Sequence, residues 1–333
     1  MNQNIIHRRG RGGSADIGTK EDGAIIRMLP LNGRVLVLKE RSVYEFRFAD
    51  DIDPNREHPN LPTNTHRLLL KIGTESEVFS RIFLTAERLI DLQFLPSTIN
   101  VSCALEKAFE AIQELSIMVD EIEDFVKSEQ MLISEYENNK GKNHSHSIPA
   151  ITNVLSRCTT IFQKADHFFQ ALMDIIRLFY PEIGDNRYYS DFANIIEDKY
   201  GEQDGFHLFL SEVLPFINLI RNIRNCLEHR RNEIIIKDFE LQFDSKILTP
   251  AIEIDYNGSR LNKVALSNFM LTVKNNMVVI FESMIAHLCN KNIKSTRADI
   301  SKLVVIPEEK RRMNKFINYA YWSAFGPDGF YHE

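Results

Sequence analysis

An arginine, an asparagine and a histidine stand close together near the end of a long amphipathic segment, as Arg224, Asn225 and His229. An arginine can bind a phosphate through two parallel hydrogen bonds and stabilise the negative charge that grows on it. A histidine titrates near neutral pH, so it can take the proton of a ribose 2′-hydroxyl or give one to the leaving oxygen. The asparagine could orient the histidine or a phosphate oxygen. Together these residue types suit the cleavage of RNA, and neither proton transfer requires a metal ion or a pair of carboxylates.

The spacing of these residues decides whether they can meet on a helix. Asn225 and His229 are four residues apart and share one helical face, which Arg221 joins four residues earlier. Arg224 and His229 are five residues apart, which corresponds to about 140° around an ideal helix. They converge only if the arginine side chain reaches across or the end of the helix relaxes. Glu228, next to the histidine, could orient the imidazole or weaken the binding of a phosphate.

Four arginines, Arg221, Arg224, Arg230 and Arg231, fall within eleven residues of a chain whose net charge is −6. Because the chain as a whole is acidic, any contact with nucleic acid must use a local basic patch such as this one. We therefore expect Arg221, Arg230 and Arg231 to bind RNA phosphates. The alternative is that Arg224 and His229 only cap the end of a helix, where cations are favoured.

The motif closes the third of four helical blocks expected in the second half of the chain. Apolar residues recur there every three or four positions, and a proline or a glycine ends each of the first two blocks. The blocks span residues 151–179, 187–200, 205–229 and 264–289. Strand-like runs at 233–237, 239–243 and 251–256, with a turn at Asn257-Gly258, lie between the third and fourth blocks. This pattern predicts a helical bundle decorated by a small β-hairpin.

The first half of the chain has a less regular pattern of predicted strands and helices. Strands are predicted at residues 34–38 and 43–48, and helices from residue 76 and over 103–136. Three carboxylates, Asp50, Asp51 and Asp53, could hold a metal, but they lack the glycine and the distal glutamate of a calcium loop and favour a solvated loop. His144 and His146 lack a third ligand and are interpreted as part of a linker. No metal site is expected.

We expect a mainly α-helical protein with four regions. Residues 1–24 form a flexible, basic, glycine-rich arm, and residues 25–140 an N-terminal α+β region with two long helices. Residues 150–295 form the helical bundle, and residues 296–333 a tail packed on the core through its aromatic side chains. The boundary between the two main regions is placed at the polar stretch 138–149.

Residues 150 to about 290 resemble a HEPN domain, because Arg224, Asn225 and His229 match the arginine–polar–histidine pattern that catalytic members carry at a helix end. The HEPN superfamily consists of α-helical bundles that recur in prokaryotic toxin, abortive-infection and CRISPR proteins. The resemblance implies a metal-independent endoribonuclease without cofactor, acting as a growth-arresting toxin or an antiphage defence effector. It also implies a homodimer through this domain, with two motifs facing one cleft, and allows an antitoxin or regulatory partner. Some HEPN domains are non-catalytic, so the alternative is a binding module that docks a partner protein or nucleic acid.

Other classes of function find little support. The chain contains no CxxC pair, no Walker loop and no HExxH or GxSxG motif. A Cys226 nucleophile acting with His229 would have a poor in-line geometry, three residues apart on a helix. The scattered cysteines predict reduced thiols in the cytoplasm. We expect neither a signal peptide nor a membrane span, since the apolar runs are short and the run 277–281 ends at Glu282.

Overall fold

The chain has a mixed α+β fold in which about 52% of the residues are helical. A computed structural model describes residues 15–58, 60–139, 147–185, 188–243, 246–294, 302–311, 314–324 and 329–332. The chain divides into two compact units, one formed by residues 1–109 and 292–333 and the other by residues 110–291. Residues 1–14 of the predicted arm, and the linker histidines His144 and His146, lie outside the described residues.

The strands and helices have the following bounds. The strands are β1 (Ile25–Leu31), β2 (Arg34–Lys39), β3 (Val43–Phe48), β4 (Asn64–Leu70), β5 (Ile234–Lys237), β6 (Glu240–Leu241), β7 (Ile247–Leu248), β8 (Ala251–Tyr256), β9 (Ser259–Ala265), β10 (Lys302–Val305), β11 (Tyr319–Ser323) and β12 (Phe330–His332). The helices are α1 (Ala49–Ile52), α2 (Glu77–Phe79), α3 (Thr85–Leu89), α4 (Val101–Asn139), α5 (Val154–Phe179), α6 (Tyr189–Tyr200), α7 (Gly205–Glu228) and α8 (Leu266–Lys291), with a π-helical segment, Ser80–Leu84, joining α2 to α3. Each helical block predicted in the second half is present, with its ends shifted by a few residues.

The first unit is built on an antiparallel sheet in the order β1-β2-β3-β4. Asn32 and Gly33, with φ of 46° and 75°, form the tight turn between β1 and β2, the backbone conformation that two-residue hairpins prefer. The predicted strands β2 and β3 are confirmed. The flanking strands were not predicted, because β1 carries Pro30 and both flanking strands expose most of their residues.

The predicted arm is wrong beyond residue 14, because residues 15–24 pack against this sheet. Ile17 is buried with Tyr44 and Phe46. The ammonium of Lys39 donates hydrogen bonds to the carbonyl oxygens of Ile17 and Thr19 at 2.8 and 2.9 Å. Burial of Ile17 and the pairing of Lys39 hold this segment in place.

Two of the three aspartates after β3 bind backbone N–H groups, and the third forms an ion pair. Asp50 pairs with an arginine at 2.7 Å, and Asp51 accepts the N–H of Phe48 at 3.1 Å. Asp53 accepts the N–H groups of residues 57–58 at 3.1 and 2.9 Å. Within the described part of the chain, no group of three or more His, Cys, Asp or Glu side chains is placed to hold a metal ion.

The C-terminal tail belongs to the first unit, where it forms the antiparallel sheet β10-β11-β12. Tyr321 is fully buried, its ring stacks on Phe94 at 3.9 Å, and its hydroxyl donates to the carbonyl oxygen of Leu89 at 2.8 Å. Tyr321 therefore packs this part of the tail onto the first unit.

The division between the units differs from the predicted boundary at residues 138–149. It falls inside α4, between residues 109 and 110. The unit that carries the motif therefore includes the larger part of α4, which the predicted region 150–295 omitted. Residues 292–295 belong instead with the first unit.

In the second unit α5 packs against α7 and α8, and α6 packs against α7. Phe168 of α5 contacts Phe281 of α8 with ring centroids 5.6 Å apart, and Phe169 contacts Phe216 of α7 at 6.3 Å. The predicted apolar stripe of α7 is buried at Ile217, Ile220, Ile223 and Leu227. This packing fixes the helix whose end carries the motif.

The insert between α7 and α8 is larger than the predicted hairpin. It forms an antiparallel sheet in the order β5-β8-β9 and a separate pair, β6-β7. Asn257 and Gly258, with φ of 49° and 78°, form the predicted turn. Asn222 of α7 is buried and donates a hydrogen bond to the hydroxyl of Ser259 at 2.9 Å. The insert is thereby attached to the helix that carries the motif.

By length and composition alone, α8 is long and apolar enough to cross a membrane. The prediction that no segment reaches this length considered only uninterrupted apolar runs, whereas α8 continues through Glu282. Within the structure 61% of its most apolar stretch is buried, as in the core helix of a bundle.

Candidate functional site at the end of α7

The chain leaves α7 through a left-handed residue. His229 is the C-cap residue, and Arg230 has a φ of 48°. The N–H of Arg231 donates to the carbonyl oxygen of Cys226 at 2.9 Å, and that of Arg230 to Leu227 at 3.4 Å. This pair of hydrogen bonds is the Schellman ending, which satisfies carbonyl groups that the last turn would leave unpaired. It places His229 at the surface, immediately after the helix.

The imidazole of His229 is exposed. Its backbone N–H donates to the carbonyl oxygen of Asn225 at 3.1 Å. Its ring makes no hydrogen bond, ion pair or aromatic contact with any residue that the structure describes. The histidine is therefore open to a ligand.

The guanidinium of Arg224 is shared among polar groups of α7 and α5. Its Nη1 lies 3.0 Å from Oε2 of Glu228 and donates to Oδ1 of Asn225 at 3.0 Å. Its Nε lies 3.6 Å from Oδ2 of Asp166, a buried carboxylate that also accepts from Gln170 at 2.6 Å. Glu228 therefore pairs with the arginine and not with the imidazole of His229.

A pocket of about 390 Å³ opens between α5 and α7, and Arg224 lies on its wall. Two further arginines line it, Arg177 from α5 and Arg221 from α7. Arg177 pairs with Asp174 at 2.8 Å, whereas Arg221 stacks on Tyr188, with its guanidinium carbon 3.8 Å from the ring centroid. The pocket is thus cationic on the α7 side and has an aromatic edge.

A second tyrosine, Tyr189, lines the pocket and is buried. The hydroxyl of Tyr189 donates to the carbonyl oxygen of Phe169 at 2.7 Å. Burial, reinforced by the nearby carboxylate of Asp166, raises the pKa of Tyr189 well above its usual value. This tyrosine stays neutral at physiological pH and serves as a wall.

The predicted site residues thus fall into two groups. Arg221 and Arg224 line the pocket, while His229 and Arg230 lie exposed at the cap. Arg231 stacks on Tyr256 of β8, with its guanidinium carbon 4.9 Å from the ring centroid. Among the described residues, no hydrogen bond or ion pair joins Arg224 to His229. The five-residue spacing therefore keeps the two functional groups apart within one chain, as the helical angle suggested.

The pocket residues that α5 and the start of α6 supply were not predicted from the sequence. Asp166 lies inside the apolar stripe of α5, next to Ala165 and two residues before Phe168. A carboxylate at a core position requires a buried partner, and this signal could have pointed to an arginine on a facing helix. Nothing in the sequence pattern distinguishes Tyr188 from other exposed tyrosines.

Cys226 is buried behind the motif, and all four cysteines are free. Burial, with a smaller contribution from Glu233, raises the pKa of the Cys226 thiol. A protonated, buried thiol is a poor nucleophile, so the arrangement favours the imidazole as the reactive group of this helix end.

Comparison with family models, with curated proteins and with solved structures finds no match for this chain.

Proposed function

We propose that the chain is a HEPN-type endoribonuclease, metal-independent, that acts at the end of α7. One observation carries the proposal. The end of α7 has both an exposed imidazole without a partner, at His229, and an arginine-lined pocket that begins at Arg224. An open histidine supplies a proton donor or acceptor. A cluster of guanidinium groups supplies a place for the phosphodiester.

In the proposed reaction the ribose 2′-oxygen attacks the adjacent phosphorus as the bond from phosphorus to the 5′-oxygen breaks. His229 either takes the proton of the 2′-hydroxyl, with water protonating the 5′-oxygen, or protonates the 5′-oxygen, with water taking the 2′-hydroxyl proton. The products are a 2′,3′-cyclic phosphate and a free 5′-hydroxyl. Arg224 stabilises the charge on the phosphoryl oxygens. To do so its Nη1 exchanges Glu228 for the phosphate, while Asp166 continues to hold its Nε side. Asn225, bonded to Arg224, orients the guanidinium.

Arg224 and His229 act on one phosphodiester most simply if a second copy of the chain contributes to the site. One helix end presents few groups to an RNA strand, and two facing ends double the density of cations. The arginine of one copy and the histidine of the other then meet across a shared cleft. Arg230 and Arg231 lie beyond the cap, where they would hold flanking phosphates. The active species proposed here is therefore a homodimer through the second unit.

We place this enzyme in the cytoplasm as a growth-arresting toxin or an antiphage effector, with an antitoxin or regulatory partner as its control. The test is cleavage of a labelled RNA pool by the purified protein with excess EDTA. We expect cleavage to persist and the products to carry 2′,3′-cyclic phosphates. Cleavage that EDTA abolishes and magnesium restores would contradict the proposed chemistry. Expression of wild type beside Arg224→Ala in bacteria tests the growth-arresting role, which requires toxicity that the variant loses.

One observation favours a second function, a non-catalytic module that docks nucleic acid or a protein. Arg224 is neutralised by Glu228 at 3.0 Å and by Asp166 at 3.6 Å. If these ion pairs persist when RNA binds, the arginine cannot stabilise the transition state. In that case the purified protein binds RNA without cutting it, and bacteria tolerate wild type and Arg224→Ala equally.

A further inference from the structure

The pocket beside Arg224 contains a cation and an aromatic ring that the proposed cleavage chemistry does not use. Arg221 has no carboxylate partner among the described residues, unlike Arg224 and Arg177. Its guanidinium carbon lies over the ring of Tyr188, 3.8 Å from the ring centroid, which is within the distance of a cation–π pair. Tyr188 is 51% exposed, so part of its ring remains open to a ligand.

The charges of the pocket define the ligand that fits it. Three arginines (Arg177, Arg221 and Arg224) and two aspartates (Asp166 and Asp174) line it, which leaves one net positive charge. A phosphodiester carries one negative charge, whereas a free di- or triphosphate carries several. The surplus charge belongs to Arg221, so the pocket matches one phosphodiester link better than a free nucleoside polyphosphate. The scissile phosphate at Arg224 takes the place of Glu228, which lies outside the lining.

The volume of the pocket agrees with the size of one nucleotide. The volume of about 390 Å³ lies near the lower end of the roughly 300–1,000 Å³ range of small-ligand sites. The side-chain amides of Gln170 and Asn218 add hydrogen-bonding groups to its lining.

We propose that this pocket binds the nucleotide next to the cleaved phosphodiester, with Arg221 on its phosphate and its base stacked on the Arg221–Tyr188 pair. Arg221 and Arg224 are three residues apart on α7, so their Cβ atoms are about 5–6 Å apart. That separation lets one strand use both arginines for neighbouring phosphates. This inference rests on the proposed function, because it assigns the scissile phosphate to Arg224.

The test measures binding separately from cleavage. A fluorescent 2′-fluoro hexanucleotide lacks the attacking hydroxyl and cannot be cut by the proposed reaction. Its affinity for the full chain is measured by fluorescence anisotropy over a range of salt concentrations. The variants are Tyr188→Ala, Tyr188→Phe and Arg221→Ala, and Arg260→Ala is the control, because Arg260 is an exposed arginine of β9 outside the pocket.

We expect Tyr188→Ala to weaken binding about 5- to 150-fold, the usual loss of one base–aromatic stack, and Tyr188→Phe to retain it. Arg221→Ala should weaken binding and reduce the slope of log affinity against log salt by about 0.7, the contribution of one phosphate contact on a single strand. Arg260→Ala should match wild type in both measurements. Free UMP should compete about tenfold or more weakly than the hexanucleotide, because it occupies one of the two phosphate sites.

The inference is overturned if wild type does not bind the hexanucleotide, or if Tyr188→Ala and Arg221→Ala bind it like wild type. Competition by UMP as strong as that of the hexanucleotide would overturn it too, because the pocket would then take a free nucleotide. The same variants are assayed on unmodified RNA. Cleavage by wild type with no effect of the pocket variants contradicts the inference and leaves the proposed function standing. Pocket-dependent binding without cleavage contradicts the proposed nuclease and keeps the nucleotide site.

Discussion

Arg224 is restrained by two carboxylates of different character. Glu228 is one turn along the same helix and partly exposed, and such i,i+4 ion pairs contribute about 0.3–0.5 kcal/mol. Asp166 is buried on the facing helix and holds the other side of the guanidinium. A phosphate can therefore replace Glu228 at little cost, whereas Asp166 remains as the group that positions the arginine.

Replacing Glu228 by glutamine should raise kcat/KM for RNA cleavage by a factor of about 2. This factor corresponds to the roughly 0.3–0.5 kcal/mol of the ion pair that is lost. The amide keeps the size of the side chain and removes the anion that competes with phosphate. The measurement is kcat/KM on one labelled RNA at low salt. Glu253→Gln, an exposed carboxylate of β8, is the matched control and should leave kcat/KM unchanged. A loss of activity in Glu228→Gln would show that Glu228 takes part in the reaction.

At the scale of elements, the hydrogen bond between Asn222 and Ser259 connects α7 to the β8–β9 hairpin. Replacing Asn222 by alanine should destabilise the protein by about 1–2 kcal/mol, because a buried hydroxyl loses its partner. In a unit of this size that corresponds to a fall in Tm of roughly 2–4 °C for each kcal/mol. Asn268→Ala, at an exposed position of α8, should change the unfolding free energy by less than about 0.5 kcal/mol. Equal melting of the two variants would mean that the insert is held by its apolar contacts alone.

The pairing of α7 with α8 should depend on pH through His287. Its ring stacks on Phe206 and Phe209 of α7, with centroids 4.9 and 5.0 Å away. Burial lowers the pKa of His287 below its ordinary value of 6.5, against the opposing attraction of Asp204. The unfolded chain then binds the proton more tightly than the folded chain. The stability that the neutral ring contributes is complete above pH 6.5 and is lost as the pH falls from there to the folded pKa.

We therefore expect the free energy of unfolding to fall more steeply between pH 7 and 5 in wild type than in His287→Phe, by at most about 1.4 kcal/mol per pH unit. Denaturant titrations of both proteins at several pH values measure the difference. Phenylalanine keeps an aromatic ring in the stack and cannot be protonated. Parallel curves for the two proteins would contradict the effect assigned to His287.

The helices and the inner strands could be predicted because their signals are local. The apolar period fixes α5 to α8, and Pro181 and Gly201 stop α5 and α6. The edge strands β1 and β4 carry no such period, since their exposure does not alternate. The placement of Arg224 and His229 at the end of one helix could be predicted. The other half of the candidate site could not, because Asp166 meets Arg224 only through the packing of α5 on α7.

At the scale of the whole molecule, the division into units depends on contacts between distant segments. The backbone N–H of Lys294 donates to the carbonyl oxygen of Phe94 at 2.9 Å, so the chain returns to its first unit after α8. Composition and periodicity do not report such a contact. The stretch 138–149 was predicted to be the boundary because its residues are polar, which is a local property. The division between the units falls earlier, inside α4.

The proposed shared site makes assembly part of the function. We expect a mass twice the 38.6 kDa of one chain at micromolar concentration, measured by light scattering after size-exclusion chromatography. Mixing inactive Arg224→Ala with inactive His229→Ala should restore part of the activity, because each mixed dimer retains one arginine and one histidine in a facing pair. A monomer at these concentrations, or no recovery on mixing, would count against a shared site.

The most direct measurement is the rate of RNA cleavage by His229→Ala beside His66→Ala, another exposed histidine, under one salt condition and with thermal melts of both. We predict that His229→Ala loses about 100- to 10,000-fold in rate, the usual contribution of a general acid–base group. Its melting should match wild type, since an exposed cap residue typically changes stability within about 0.5 kcal/mol. His66→Ala should cleave like wild type. If His229→Ala melts like wild type and still cuts RNA at the wild-type rate, the motif has a structural role only, and the account of the helix end as a nuclease site is wrong.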